Sequence, residues 1–148
     1  MTVHPVKDMN QIANMIRILE QKGNRRDPLL LKFGLNTGLR INDILRMKVK
    51  YLFNPDGKLK EYLDLFESKT IKVRNRKLKE IKLNSVIRPE LESYVKFYEL
   101  EPDDWIFFSL KNPANPLDRI RAYTLLRDAA NKSGVTKFGT HSMRKTFA

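Results

Sequence analysis

The chain has 148 residues, enough for one domain with a single hydrophobic core, and its 29 Lys and Arg against 17 Asp and Glu give a formal net charge of +12. This excess favours a polyanionic partner, nucleic acid above all, although solvated basic helix faces or a polybasic membrane-surface protein would also fit the composition. The absence of cysteine excludes disulfides and thiolate zinc sites, and two histidines cannot form a metal cluster by themselves, so no structural metal is expected.

Three helices are predicted in the first third of the chain. The segment DMNQIANMIRILEQKG has apolar residues at helical spacing, a capping-box pattern at Asp8 and Gln11, and a terminating Gly23. In RDPLLLKFGLNTGLR, Asp27 is placed as the N-cap of a second helix and Gly38 as the left-handed residue that ends it. The segment INDILRMKV then restarts the helical period, so two helices meet at a glycine-bearing corner.

A small antiparallel sheet is predicted after residue 49. The turn sequence NPDG separates two segments rich in β-branched and aromatic residues, which indicates a hairpin. A second turn region, SKTIKVRNRKLKEIKL, is rich in Lys and Arg and returns with Ile81 and Leu83 alternating with Lys82, a pattern typical of a third strand.

Three more helices are predicted in the second half. The segment PELESYVKFYEL begins with Pro89 in the first turn and keeps apolar side chains on one side. NPANPLDRIRAYTLLRDAANKSG indicates a loop and then a helix that stops at Gly134, with Thr140 placed to cap a last helix near His141. The apolar face of the longer helix is predicted to contain Ile120, Leu125, Leu126 and Ala129.

These elements are expected to form one domain. Because no repeat, low-complexity segment or linker interrupts residues 1–148, we predict a single α+β domain that is mainly helical with a small antiparallel three-stranded sheet. No apolar run approaches the roughly 18 residues of a membrane span, and the N-terminus lacks a secretory signal, so we expect a cytoplasmic protein.

Several catalytic patterns are absent from the sequence. It contains no glycine-rich phosphate loop, no GxSxG motif and no paired metal-binding carboxylates at helical spacing. Asp103 and Asp104 are adjacent, which is more typical of a solvated corner than of a metal site.

Three basic positions remain as candidates. Arg40 follows TG at the corner between two helices, where it could hold a phosphate or, equally, pair with Asp43 or another carboxylate. Lys69 lies in ESKTIK at a turn, where a lysine is most often simply solvated. His141 and Arg144 in HSMR are three residues apart, so on a helix they share a face, as a ligand site or as an ordinary surface pair.

The order TGLRINDIL, basic hairpin with SKT, and HSMR resembles the catalytic domain of tyrosine recombinases, the phage integrase family, from about Val3 to Ala148. The resemblance implies the fold of a tyrosine recombinase catalytic domain. It also implies four catalytic residues: Arg40, Lys69, His141 and Arg144. Lys72 is the alternative to Lys69, because Ile71 stands where the family hairpin often has Gly. Asp43 stands where the family often has Glu.

The resemblance also implies a reaction. Members of this family break DNA by attack of a tyrosine hydroxyl on a phosphodiester, which leaves a 3′-phosphotyrosyl link and a free 5′-hydroxyl. Two arginines can stabilise the charge that builds on the nonbridging oxygens, and a lysine can protonate the leaving oxygen, so no metal is expected. The covalent link conserves the energy of the broken bond, so no nucleotide cofactor is expected either.

The position of the nucleophile has a consequence for this chain. In the family the tyrosine follows the HxxR motif, whereas all five tyrosines here precede it. We therefore expect a catalytic-domain fragment, inactive alone, of a recombinase that binds double-stranded DNA, with self-association and assembly on paired DNA sites. The alternatives are a non-catalytic duplex-DNA-binding protein or recombinase remnant, and an RNA-binding domain.

Overall fold

The computed structural model describes residues 9–63 and 81–135 of the chain. The helices in these two ranges are α1 Met9–Glu20, α2 Arg26–Thr37, α3 Ile41–Leu45, α4 Val49–Leu52, α5 Ile87–Phe97 and α6 Arg119–Lys132. The predicted mainly helical character is confirmed. The predicted last helix near His141 lies outside the described residues.

α2 is the central helix of the fold. Nine of its 12 residues are buried, and it packs against α1, α3 and α5. Its Phe33 ring meets Phe107 with ring centroids 5.7 Å apart, and both side chains are fully buried. A helix that is apolar on almost every side is stable only inside a core, so the other elements are arranged around α2.

The N-terminus of α2 differs from the prediction. The helix begins at Arg26, before the predicted N-cap Asp27, and it is the Asn24 side-chain oxygen that accepts from the Asp27 N–H, at 2.9 Å. Asp27 lies in the first turn and is only 1% exposed. The Asp27 carboxylate accepts from the neighbouring Arg26, and the Asn24 side chain accepts the hydrogen bond from the first turn instead.

A buried ion pair joins α2 to the rest of the core. The Arg26 guanidinium lies 2.7 Å from the Asp27 carboxylate and donates to the Phe108 carbonyl at 3.2 Å. The other carboxylate oxygen lies 3.3 Å from the Lys22 ammonium and accepts from the Asn24 amide at 3.4 Å. Both charged groups therefore have several partners, which offsets the cost of removing them from water.

The predicted three-stranded sheet is not supported by the described residues, which form single antiparallel bridges and no extended strand. Residues 49–52, predicted as part of the first strand, form the single turn α4. The reason is tertiary, because the N–H groups of Val49 and Lys50 donate to the carbonyls of Asp104 and Pro102, at 3.1 and 3.0 Å.

Isolated antiparallel bridges connect three successive segments of the chain. The NPDG turn is closed by the Asn54 N–H, which donates to the Lys58 carbonyl at 2.7 Å, and Phe53 bridges Leu59 across it. A further antiparallel bridge joins Tyr62 to Lys82. Three successive segments are therefore paired, each pair through one bridge.

The last described helix confirms the predicted segment but not the whole predicted face. Leu125, Leu126 and Ala129 of α6 are buried, whereas Ile120 is 74% exposed. Ala129 is nine positions after Ile120, which at about 100° per residue is two and a half turns, so the two side chains point in opposite directions. Asp118 caps this helix by accepting from the Ile120 N–H at 3.0 Å.

Tyr94 of α5 is held in the core beside the α2 N-terminus. It is 2% exposed, and its hydroxyl donates to the Ile106 carbonyl at 2.7 Å. Burial raises the pKa of Tyr94 well above its usual range, and neighbouring Tyr98 acts in the same direction, while Arg26 opposes it.

None of the described helices is long and apolar enough to cross a bilayer.

Replacing Asp27 with Asn should destabilise the protein strongly. The substitution removes the negative charge that faces the buried Arg26, and an uncompensated buried charge costs about 3 kcal/mol or more of unfolding free energy. Urea unfolding followed by circular dichroism measures the loss. Asp103→Asn is the matched control, because the Lys50–Asp103 pair is exposed, and its unfolding midpoint should hardly change.

The double replacement Arg26→Met with Asp27→Leu removes both charges together. It should be less destabilising than Asp27→Asn alone, since no unpaired charge then stays in the core. A double variant that is less stable than the single one would contradict a buried-charge penalty.

The Tyr94 environment predicts a loss of stability at high pH. An unfolded tyrosine ionises near pH 10, but the folded protein keeps Tyr94 neutral to higher pH. The stability that this group contributes is therefore fully present below about pH 10 and is lost as the pH rises further. Between pH 9 and 11, the unfolding free energy of Tyr94→Phe should fall less steeply than that of the unaltered chain. Equal slopes would disprove this origin.

Candidate functional site

α2 and α3 meet at the corner predicted from TGLR. Gly38 has φ +69° and ψ +13°, and its N–H donates to the Gly34 carbonyl at 3.0 Å, which confirms the left-handed end of α2. The Thr37 hydroxyl donates to the Phe33 carbonyl at 2.8 Å and accepts from the Leu39 N–H at 3.3 Å. The last turn of α2 is thus hydrogen-bonded to the residue after the glycine.

Arg40 lies directly after this corner. It occupies the N-cap position of α3 with an extended backbone, φ −69° and ψ 149°, and its carbonyl accepts from the N–H groups of Asp43 and Ile44, both at 3.0 Å. Its neighbours Leu39 and Ile41 are each 3% exposed, whereas Arg40 is half-buried. Because alternate side chains of an extended segment point to opposite sides, the two buried neighbours hold Arg40 at the edge of the core.

The guanidinium of Arg40, and not the dipole of α3, is the main source of positive charge at this corner. Among the ion pairs formed within residues 9–63 and 81–135, none involves Arg40, so the structural pairing with Asp43 gains no support there. α3 has only five residues, so its peptide dipoles add little to the field. A half-buried guanidinium offers a planar fork of donors that matches two phosphate oxygens.

The other candidates lie outside the described residues: Lys69, its alternative Lys72, His141 and Arg144. Their positions and roles stay predictions. The structure does show where the segments that carry them are attached.

The segment that carries both lysines joins two paired backbone positions. The Leu63 N–H donates to the Ile81 carbonyl at 3.0 Å, and the Leu83 N–H donates to the Glu61 carbonyl at 2.9 Å. The segment that carries HSMR follows α6, and α6 packs against α3 as well as α1. The helix that starts after Arg40 is therefore in contact with the helix that precedes HSMR.

Two supporting side chains close to the ends of the lysine-bearing segment were missed by sequence reasoning. The Arg88 guanidinium donates to the carbonyls of Lys60 and Leu59, at 2.9 and 3.4 Å. The Asn84 amide donates to the Asn36 side chain of α2 at 3.0 Å. The preference for Asn near helix starts could have identified Asn84, but no sequence signal links Arg88 to a chain segment 28 residues earlier.

The adjacent aspartates lie at a turn, as predicted. Asp103 is exposed and pairs with Lys50 at 2.7 Å; this hydrogen bond lowers the pKa of Asp103 and raises the pKa of Lys50. Asp104 accepts from the Glu101 N–H at 2.7 Å. The described part of the chain contains no group of three potential metal-ligating His, Cys, Asp or Glu side chains.

Comparison with known sequences identifies a family. The model of the phage integrase family matches residues 4–148. The probable integrase/recombinase YoeC of Bacillus subtilis (strain 168) is 35% identical over 145 residues, which cover 98% of this chain and 72% of that protein.

Solved structures share the fold at low sequence identity. The XerA recombinase matches with a TM-score of 0.71 and 17% identity, over 99% of this chain and 48% of that one. A lambda integrase dimer bound to a COC′ core site has a TM-score of 0.63 and 15% identity, over 99% of this chain and 40% of that one. The chain therefore spans less than half the length of these two solved proteins, and the recombinase catalytic-domain-like fold is confirmed.

Proposed function

The chain belongs to the phage integrase family, and on that premise we propose that residues 1–148 form a single catalytic-domain portion of a site-specific DNA recombinase. The proposed reaction is breakage and rejoining of DNA strands through a 3′-phosphotyrosyl intermediate. The single observation that carries the proposal is the TGLR corner, where a family motif presents a half-buried arginine that has no ion pair within the described residues.

Arg40 is proposed to bind the scissile phosphate. Its backbone is fixed by two accepted hydrogen bonds and by buried neighbours on both sides. A cation that is already in place stabilises charge on the nonbridging oxygens without reorganisation during the reaction. Arg144 and His141 are proposed to act on the same phosphate, and Lys69, or Lys72 in its place, to protonate the leaving 5′-oxygen.

The nucleophile is proposed to come from outside these 148 residues. Tyr94 is a poor candidate, because its hydroxyl is buried and donates to a backbone carbonyl, and burial raises its pKa. The Tyr98 hydroxyl is also engaged, accepting from the Arg25 N–H at 3.0 Å. The chain alone should then bind DNA without cleaving it.

Double-stranded DNA is the proposed partner. The net charge of +12 suits a polyanion. Lambda integrase structures with this fold are a dimer bound to a COC′ core site and a tetramer bound to a Holliday junction. We propose that the whole protein to which this chain belongs likewise self-associates on paired DNA sites.

Arg40→Ala should weaken binding to duplex DNA by about tenfold or more, because it removes a charged hydrogen-bond donor from one phosphate. The slope of log K against log salt should become shallower by about 0.9, the value for one released counterion. Fluorescence anisotropy with a labelled duplex at several salt concentrations measures both quantities.

Lys96→Ala is the control for this experiment. Lys96 is an exposed lysine in the last turn of α5, so its replacement removes the same charge from an ordinary surface position. Equal losses of affinity for the two variants would remove the special status of Arg40.

Cleavage should require a longer chain. A suicide duplex that traps the covalent product should give a protein–DNA adduct with a version extended through the rest of the reading frame, and none with the 148-residue chain. Denaturing gel electrophoresis of labelled DNA detects the adduct. No adduct from either protein, with salt-sensitive DNA binding retained, would favour a non-catalytic duplex-DNA-binding protein.

A further inference from the structure

We propose that Thr37 is a positioning residue for Arg40. Gly38 connects the end of α2 to the segment that carries Arg40, and the Thr37 hydroxyl fixes the backbone conformation at this glycine. The inference rests on the proposed function, in which Arg40 binds a DNA phosphate. It assigns a role to a side chain that is buried in the protein.

Thr37 is only 3% exposed, so its hydroxyl must find partners inside the protein. It donates to the Phe33 carbonyl at 2.8 Å and accepts from the Leu39 N–H at 3.3 Å. A hydroxyl has one proton to donate and lone pairs to accept with, so both bonds form at once. The side chain therefore spans Gly38, with one bond on each side of it.

Gly38 is the point at which this support matters. It has φ +69°, a conformation that glycine adopts at low cost, but glycine also has the most backbone freedom of any residue. The residues after it form an anchored unit, because Leu39 and Ile41 are buried and the Arg40 carbonyl accepts two hydrogen bonds from α3. A small rotation at Gly38 would move this unit, and the guanidinium with it, relative to α2.

A threonine hydroxyl bonded one turn back along its own helix is not unusual by itself. Thr124 of α6 makes the same bond, donating to the Ile120 carbonyl at 2.8 Å. The feature that distinguishes Thr37 is its second bond, to the Leu39 N–H beyond the helix end. Loss of the hydroxyl would leave the buried Leu39 N–H without this partner. It would also remove the side-chain hydrogen bond that spans Gly38.

The test compares Thr37→Val, which keeps the branched shape but lacks the hydroxyl, with Thr37→Ser, which keeps the hydroxyl. DNA affinity and its salt slope are measured by anisotropy on the 148-residue chain, well below the Tm of each variant. Thr37→Val should lose affinity by about tenfold and approach the shallower slope of Arg40→Ala, while Thr37→Ser should stay within about twofold of the unaltered chain.

Two control variants separate positioning from stability. Thr124→Val removes the same type of helix bond far along the sequence and should leave DNA affinity and slope unchanged. Ile12→Val weakens the core on α1 and should lower Tm without altering the slope. Loss of affinity in Ile12→Val as large as that in Thr37→Val would overturn the proposal.

The double variant Thr37→Val with Arg40→Ala provides the decisive comparison. If Thr37 acts through Arg40, the double variant should bind DNA as Arg40→Ala does, because no positioned arginine is left to lose. Multiplying losses would show that Thr37 acts independently of Arg40 and would overturn the inference. An unchanged slope in Arg40→Ala would instead remove the proposed phosphate contact, whatever Thr37 does.

Discussion

A helix that is buried on almost every side must have its polar groups satisfied inside the protein, and the fold depends on how α2 meets this constraint. At its N-terminus, the buried Arg26–Asp27 pair is surrounded by an ammonium, an amide and a backbone carbonyl. At its C-terminus, the Thr37 hydroxyl donates to the Phe33 carbonyl and the Gly38 N–H donates to the Gly34 carbonyl. Both ends are thereby held by hydrogen bonds within the protein.

The two ends of α2 serve different parts of the molecule. The N-terminal end holds the buried segment of Ile106, Phe107 and Phe108, because the Arg26 guanidinium donates to the Phe108 carbonyl and neighbouring Tyr94 donates to the Ile106 carbonyl. The C-terminal end places Arg40 at the edge of the core. The stability of the central helix and the position of the candidate phosphate-binding arginine therefore follow from the same element.

The candidate site combines chain segments that are distant in sequence but attached to neighbouring elements. Arg40 begins α3, and α3 packs against α6, after which the HSMR segment follows. The lysine-bearing segment is joined at its base to α2 through the Asn36–Asn84 hydrogen bond and to α5 through Arg88. For Arg40, the hydrogen bonds at the corner fix the backbone from which the side chain projects.

Sequence alone determined the features that depend on neighbouring residues and on motif order. Helical periodicity located α1, α2, α5 and α6, the glycine at position 38 predicted the corner, and the order of TGLR, SKT and HSMR indicated the family. The roles of Lys69, His141 and Arg144 stay predictions of that motif order. Tertiary structure decided the rest, because the deciding bonds join residues far apart in the chain. Val49 and Lys50 lie in a helical turn because their N–H groups donate to carbonyls more than 50 residues away. Asp27 is buried because the core supplies a hydrogen-bond partner for its neighbour Arg26.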